Sequence, residues 1–299
     1  MKLTLFVGFI TTVLLSFASC QSQVIPEFDA KNAFRILEAQ CQFGPRVPGT
    51  ASHVQCKDYL VESLKKYTPH VSEQAFQVKL EPAKPATCYN IIANFHPNRT
   101  NRMLLCAHWD TRPWADRDPD PANHNKPVPG ASDGASGVAI LLEIARIIHI
   151  AEPKYGVDIV LFDAEDFGSY GNNDSWALGS KQFARSVVRN YHPEIGILLD
   201  LVGDADQQIY MEVNSNKYAQ PIVKRVWDIA DDLGIGTFIP EVMYEVYDDH
   251  LNLLEAGIPC IDIIDFDYDY WHTVEDTPDK CSPQSLENVG RVVREILYQ

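Results

Sequence analysis

The 299-residue chain has little positive charge: 25 Lys and Arg stand against 41 Asp and Glu, and the formal net charge is −16 at pH 7. Because a protein this acidic repels phosphate backbones, nucleic-acid binding is not expected. The chain also lacks an internal repeat and a linker of distinct composition. With 45% hydrophobic residues, it has enough apolar material for one large α/β domain.

Several sequence patterns of common metal and nucleotide sites are missing. The chain has no His-Glu-x-x-His zinc helix, no Gly-rich phosphate loop followed by Lys, and no Cys-x-x-Cys pair. Seven cysteines are present, and Cys106 and Cys260 occur in apolar, strand-like runs that are typical of buried thiols. An exported protein can form disulfides, but the sequence does not select one pairing among the many available.

Long hydrophobic runs are absent after the N-terminus, so no later segment is predicted to span a membrane. Lys2 and the short apolar stretch 3–17 are typical of a secretory signal. The following Phe-Ala-Ser-Cys resembles a bacterial lipobox, which predicts an exported, periplasmic protein anchored to a membrane through lipidated Cys20. The alternative is an ordinary signal that is cleaved just before this cysteine. We assign 1–20 to the signal and lipobox and 21–299 to a single folded domain.

Helical and strand-like segments alternate along that domain. The spacing of apolar residues predicts helices over 30–41, 52–67, 134–151, 179–191, 218–233 and 284–298. Apolar runs predict strands over 89–95, 103–107, 158–164, 195–201, 208–213 and 259–264. This order predicts an α/β, three-layer sandwich in which helices flank a central mixed, largely parallel sheet.

Polar clusters follow several of the apolar segments, and ligands in open α/β sheets bind outside the carboxyl ends of the strands. His108 and Asp110 come directly after the strand that ends at Ala107, and a His with a nearby acid can be a metal ligand with its orienting partner. Asp133 immediately precedes the predicted helix that begins at Gly134. It is therefore either a helix N-cap or a metal ligand.

Two further strand ends and a late histidine complete the set. Glu165 and Asp166 are adjacent acids that repel each other unless a cation lies nearby; the alternative is a solvated acidic turn. Asp200 ends an apolar strand, where a carboxylate is costly without a hydrogen bond or a metal. His272 follows Trp271, whose aromatic ring is suited to forming part of the wall of a binding pocket.

These residues include a candidate metal site. Asp133, one acid of the Glu165 and Asp166 pair, and His272 predict a catalytic zinc site with three protein ligands and one open position. Oxygen and nitrogen ligands without sulfur also suit manganese or cobalt.

Taken in order, the clusters and the loop Gly-Pro-Arg-Val-Pro-Gly at 44–49 resemble the co-catalytic zinc aminopeptidase clan, to which glutaminyl cyclases belong. The resemblance covers nearly all of the chain after the signal. The aminopeptidases of this clan hold two metals, and on that pattern the first would bind His108, Asp133 and Asp200. The second would bind Asp133, Asp166 and His272.

Within the clan, two residues are more similar to bacterial glutaminyl cyclases, which bind one zinc ion. Asp248 is an acid where aminopeptidases commonly have a small residue, and Trp271 before the metal-ligating His272 is similar to a cyclase pocket wall. Asp166 stands where animal cyclases usually have Glu, whereas bacterial cyclases accommodate Asp. The alternatives are a zinc aminopeptidase and a non-enzymatic binding protein on a peptidase-like scaffold.

The resemblance implies a zinc-dependent glutaminyl-peptide cyclotransferase, an acyltransferase that converts N-terminal glutamine of peptides and proteins to pyroglutamate and releases ammonia. One Zn²⁺ ion would bind Asp133, Asp166 and His272. The implied catalytic residues are Glu165, Asp200 and Asp248, and the implied substrate-binding residues are Trp271, Trp176 and Tyr170. His108 and Asp110 would either bind a second metal or hold the ligands of the first in place. We expect a monomer that has no nucleic-acid partner and contacts a membrane only through the lipid anchor.

Overall fold

The computed structural model describes residues 24–79, 85–187 and 190–299. The predicted signal and lipobox, including Cys20, lie outside the described residues, so export and lipidation stay predictions. Within the described ranges, none of the helices combines the length and the apolar character needed to cross a membrane. The described cysteines are all free thiols, and Cys106 and Cys260 are fully buried, as predicted.

A six-stranded sheet forms the centre of the domain. In chain order the strands are β1 (Val71–Val78), β2 (Ala86–Phe95), β3 (Arg102–His108), β4 (Gly156–Phe162), β5 (Ile195–Asp200), β6 (Ile209–Met211), β7 (Phe238–Val242) and β8 (Cys260–Ile264). The sheet order is β1-β2-β4-β3-β5-β8, and β6 pairs with β7 in a separate small sheet. β2 is antiparallel to its neighbours, whereas β4, β3, β5 and β8 are parallel. The predicted mixed, largely parallel sheet is confirmed.

Helices cover both faces of this sheet. They are α1 (Ala30–Gln42), α2 (Ala51–Lys65), α3 (Ala135–Ile150), α4 (Leu178–Val187), α5 (Val213–Tyr218), α6 (Gln220–Asp232), α7 (Asp249–Glu255) and α8 (Pro283–Tyr298). Alternate residues of a strand point to opposite faces, so Leu105 of β3 joins the core with α1, α3 and α8, whereas Leu104 joins the core with α4 and α7. The three predicted layers follow from this alternation.

Some elements differ from the sequence prediction. The predicted helix 218–233 corresponds to α6, which begins two residues later because Pro221 lacks an amide N–H and suits the first turn of a helix. The short helix α5 precedes it and is not predicted. The sequence pattern does not predict β1, because this edge strand is mostly exposed or half-buried and half of its residues are polar. It does not predict the short elements β7 and α7 either, since a few residues show no clear periodicity.

Candidate active site

The carboxyl ends of the parallel strands bring the predicted site residues to one edge of the sheet. His108 ends β3, Asp200 ends β5, and Glu165 and Asp166 follow β4. A pocket of about 190 Å³ opens at this edge. Its lining includes every predicted ligand of the single zinc ion and every predicted catalytic and substrate-binding residue: Asp133, Glu165, Asp166, Tyr170, Trp176, Asp200, Asp248, Trp271 and His272. His108 and Asp110, predicted for a second metal or for support, do not line it.

Asp133, Asp166 and His272 could hold a metal ion, because they each offer a ligand atom within 4.8 Å of the others. Nε2 of His272 lies 3.1 Å from Oδ1 of Asp166 and 3.6 Å from Oδ2 of Asp133. All three residues are buried, and Oδ2 of Asp166 has no hydrogen-bond partner among the described residues. Two carboxylates and one imidazole, with an oxygen left unpaired, fit the donor set of a catalytic zinc site.

The electrostatics of this group also favour a cation. Burial by itself would lower the pKa of His272, but the charge of Asp166 and the hydrogen bonds of Asp116 and Asp166 raise it to about 10. Carboxylates that hold a proton this strongly on a buried imidazole attract positive charge of any kind. A divalent ion would therefore replace that proton favourably.

Asp133 also belongs to a second group of buried side chains, together with His108 and Asp200. Nε2 of His108 lies 3.0 Å from Oδ1 of Asp133 and 3.1 Å from Oδ1 of Asp200. Burial opposes protonation of His108, but the charge of Asp200, together with hydrogen bonds to the neighbouring carboxylates, raises its pKa well above the ordinary range. His108 therefore lies between two carboxylates that favour positive charge on or beside its ring.

The N-cap alternative for Asp133 is wrong. α3 begins at Ala135, its N-cap is Gly134, and that position makes no side-chain capping bond. The Asp133 carboxylate faces His108 and His272 instead. Its main chain is held by Asp276, whose carboxylate accepts the N–H of Asp133 at 3.2 Å.

The Glu165–Asp166 turn is buried, so the alternative of a solvated acidic turn is wrong as well. The carboxylate of Asp110 accepts the N–H of Glu165 at 3.1 Å and the N–H of Asp166 at 3.3 Å, and these two hydrogen bonds hold the turn in place. Burial and then the charge of Asp248 raise the pKa of Glu165 well above its usual range. Glu165 therefore holds a proton more readily than an exposed glutamate, as a group that accepts and returns protons must.

Asp248 caps the short helix α7, where its Oδ1 accepts the N–H of Asp249 at 2.5 Å. Its Oδ2 has no hydrogen-bond partner among the described residues. Burial, followed by the charge of Asp200, raises the pKa of Asp248 to about 7. Behind it, His250 lies between Glu212 and Asp262, with N···O distances of 3.2 and 3.6 Å.

Aromatic rings form the wall of the pocket. The ring of Trp176 is parallel to that of His272, with centroids 6.2 Å apart, and the ring of Trp271 lies 4.1 Å from His272. The hydroxyl of Tyr170 lies 3.1 Å from Nδ1 of His272. All three rings predicted to contact substrate therefore surround one metal-ligand candidate.

Sequence reasoning missed several residues that support the site. Arg112 donates to Oδ1 of Asp166 at 3.2 Å and to Oδ2 of Asp116 at 2.6 Å, and Oδ1 of Asp116 lies 3.6 Å from Nδ1 of His272. Arg112 and Asp116 occur in a long polar loop, where charged residues are ordinary. The one sequence feature that points to these two residues is that their loop directly follows the predicted strand before His108.

The loop before α3 also has the Gly-x-Ser-x-Gly spacing of a serine hydrolase nucleophile elbow, over 130–134. Ser132 is fully buried and does not line the pocket. Its hydroxyl oxygen accepts the N–H of Gly203 at 3.1 Å. The serine therefore has a structural contact and is not presented as a nucleophile.

Comparison with known proteins agrees with this geometry. The model of Peptidase family M28 matches residues 90–297. The fold is similar to that of Bacteroides thetaiotaomicron glutaminyl cyclase bound to N-acetylhistamine, at 40% identity and a TM-score of 0.89, covering 92% of this chain and 99% of that chain. Porphyromonas gingivalis glutaminyl cyclase is similar at 42% identity and a TM-score of 0.87, over 90% and 98% of the two chains. Drosophila melanogaster glutaminyl-peptide cyclotransferase is 24% identical over 84% of this chain and 75% of its own length.

Proposed function

The chain belongs to Peptidase family M28, and because it is 40% identical to a bacterial glutaminyl cyclase over nearly its whole length, we propose that it is a glutaminyl-peptide cyclotransferase. Its substrates are peptides and proteins with an N-terminal glutamine, and its products are pyroglutamyl chains and ammonia. The site observation that carries the proposal is the acid Asp248, buried and lining the same pocket as Glu165. Both acids have raised pKa values, and in this proposal they exchange the proton that cyclisation moves.

Asp133, Asp166 and His272 would hold one zinc ion in this proposal. When bound, zinc acts as a Lewis acid toward the side-chain carbonyl of the substrate glutamine. The count of one ion follows the resemblance to bacterial glutaminyl cyclases. His108, Asp133 and Asp200 also offer ligand atoms within 4.8 Å of one another, so zinc titration of the metal-free protein tests the count. Oxygen and nitrogen ligands alone would also accept manganese or cobalt.

The pocket suits a substrate that presents a cationic N-terminus. Its floor carries the carboxylates of Glu165, Asp200 and Asp248, and the chain as a whole is strongly acidic. A concave anionic site attracts an ammonium group, and the rings of Trp176 and Trp271 would bracket the apolar part of the glutamine side chain.

In the reaction, the α-amine nitrogen of the substrate forms a bond to its own side-chain amide carbon, and the carbon–nitrogen bond of that amide breaks. Glu165 takes a proton from the α-amine and delivers it to the leaving ammonia. Asp248 and Asp200 keep that proton within the buried network. Because both reacting groups belong to one residue, the pocket contributes mainly by holding the reactive conformer.

The aminopeptidase alternative is not favoured. Its reaction would need an activated water and cleavage of the first peptide bond, whereas the similar solved structures include bacterial glutaminyl cyclases.

The proposal is tested by Glu165→Gln, which removes the base but keeps the side-chain shape. Ammonia release from a Gln-initiated peptide should fall at least a hundredfold, with the bound metal retained. Glu241→Gln, at an exposed position of β7, is the matched control and should be fully active. A fully active Glu165→Gln protein would overturn the assignment.

A further inference from the structure

Arg46 lies in the loop 44–49, which no step of the proposed reaction uses. Its side chain is fully buried, although an arginine is rarely buried without a specific role. The guanidinium donates to three main-chain carbonyls. Nη1 donates to Pro129 at 2.6 Å, Nη2 donates to Gly130 at 2.6 Å, and Nε donates to Trp109 at 3.3 Å.

These carbonyls belong to two different segments of the site. Trp109 lies between His108 and Asp110, in the turn that follows β3. Pro129 and Gly130 belong to the segment 129–134 that leads to Asp133, here named the Asp133 loop. One side chain therefore ties the Asp133 loop to the turn after β3, in a geometry that needs the planar fork of a guanidinium.

The contact is tight on the loop side. Gly130 has a φ of +72°, and a Cβ at this position would lie 2.2 Å from Cγ2 of Thr111 and 2.9 Å from Nη2 of Arg46. At the other end of the loop, Asp276 accepts the N–H of Ser132 at 2.8 Å. Arg46 and Asp276 thus hold the Asp133 loop from opposite ends.

We propose that Arg46 is a positioning residue for the metal site: it holds the Asp133 loop so that the Asp133 carboxylate stays within ligand distance of Asp166 and His272. The inference rests on the metal site of the proposed function and does not depend on which reaction the site catalyses. Residues that hold ligands in place typically change metal affinity by about tenfold to a hundredfold when they are replaced.

The test measures the zinc dissociation constant by competition with a coloured chelator, without substrate and well below the melting temperature. Arg46→Lys keeps the charge but cannot donate to all three carbonyls, and it should weaken zinc binding about tenfold. Arg102→Lys is the matched control. Arg102 begins β3, at the end of the strand opposite to the site, and its Nε donates to Asp158 at 2.6 Å.

We expect the control to lose thermal stability and to keep the zinc affinity of the wild type. Arg46→Met should weaken zinc binding further than Arg46→Lys, and the visible spectrum of the cobalt-loaded Arg46→Lys protein should shift because the ligand geometry changes. A folded Arg46→Lys protein with unchanged zinc affinity and an unchanged cobalt spectrum would show a purely structural role and overturn the proposal. Because no substrate is present, failure of the cyclase assignment would leave these results unaltered.

Discussion

The hydroxyl of Tyr170 lies 3.1 Å from Nδ1 of His272, on the ring nitrogen opposite the one that faces Asp133 and Asp166. Nε of Arg117 donates to the same hydroxyl at 3.1 Å. The phenol therefore fixes the imidazole with Nε2 toward the candidate metal position, which is the usual way in which a ligating histidine is oriented.

Removing this hydroxyl should weaken the metal site without unfolding the protein. Tyr170 is 52% exposed, so Tyr170→Phe should leave the melting temperature nearly unchanged. We expect zinc affinity, measured by chelator competition, to fall about tenfold. Tyr218→Phe, on an exposed tyrosine of α5, is the control and should bind zinc normally. Equal affinities of the two variants would rule out an orienting role for Tyr170.

Asp248→Ala should nearly abolish cyclisation while zinc remains bound. The carboxylate lines the pocket and has a pKa of about 7, so it can share a proton with Glu165, but it does not belong to the group of Asp133, Asp166 and His272. The measurement combines ammonia release with metal content in one preparation. Asp228→Ala, at an exposed position of α6, serves as the control. Full activity of Asp248→Ala would refute the role of this acid.

Glu212 should contribute stability that disappears in acid. Burial opposes ionisation of Glu212, but His250 and the N–H groups of Asn214 and Ser215 lower its pKa to about 2, from an ordinary value of 4.5. Because the folded state favours the carboxylate, its contribution is complete above pH 4.5 and is lost as the pH falls toward 2. Glu212→Gln should therefore cost about 2 kcal/mol at pH 7 and less at pH 3.5.

This pH dependence is measured by denaturant unfolding of both proteins at the two pH values. Glu62→Gln, with an exposed side chain on α2, should show no such change between them. If the difference between wild type and Glu212→Gln stays constant from pH 7 to pH 3.5, the carboxylate is not stabilised in the way described.

Metal removal should destabilise the fold as well as stop the reaction. Without a cation, the buried carboxylates of Asp133 and Asp166 repel each other, and a ligand at a hundred times its dissociation constant stabilises a folded protein by about 2.7 kcal/mol. A strong chelator should lower the melting temperature by several degrees. One equivalent of zinc should restore both stability and activity. A requirement for two equivalents would contradict the single-ion proposal, and Asp133→Ala should show no response to the chelator.

Much of this site is predictable because its residues follow strong apolar strands. The sequence alone places His108, Asp166 and Asp200 at one edge of the sheet, since parallel strands have a common carboxyl edge. It leaves the role of Asp133 open, because an acid before a helix is equally typical of an N-cap. The sequence also cannot show that the Asp133 carboxylate turns away from the helix.

The supporting residues are harder to find for a physical reason. Arg112 and Asp116 belong to a polar loop, and Glu212 and Asp276 lie beside short elements, where charged residues usually face solvent. Their roles depend on burial and on contacts between segments distant in the chain, such as Asp276 with Asp133. The periodicity of apolar residues carries no information about such contacts. The family resemblance identifies candidate metal ligands and catalytic bases, but not the residues that hydrogen-bond to them.

The most direct test of the central claim is to incubate the purified mature protein with Gln-Phe-Ala and Leu-Phe-Ala peptides, with and without a chelator, and to determine the products by mass spectrometry. A metal-dependent glutaminyl cyclase would remove ammonia from the Gln peptide, cleave neither peptide and lose activity with the chelator. Release of free leucine or glutamine would instead identify an aminopeptidase and contradict the role proposed for Asp248.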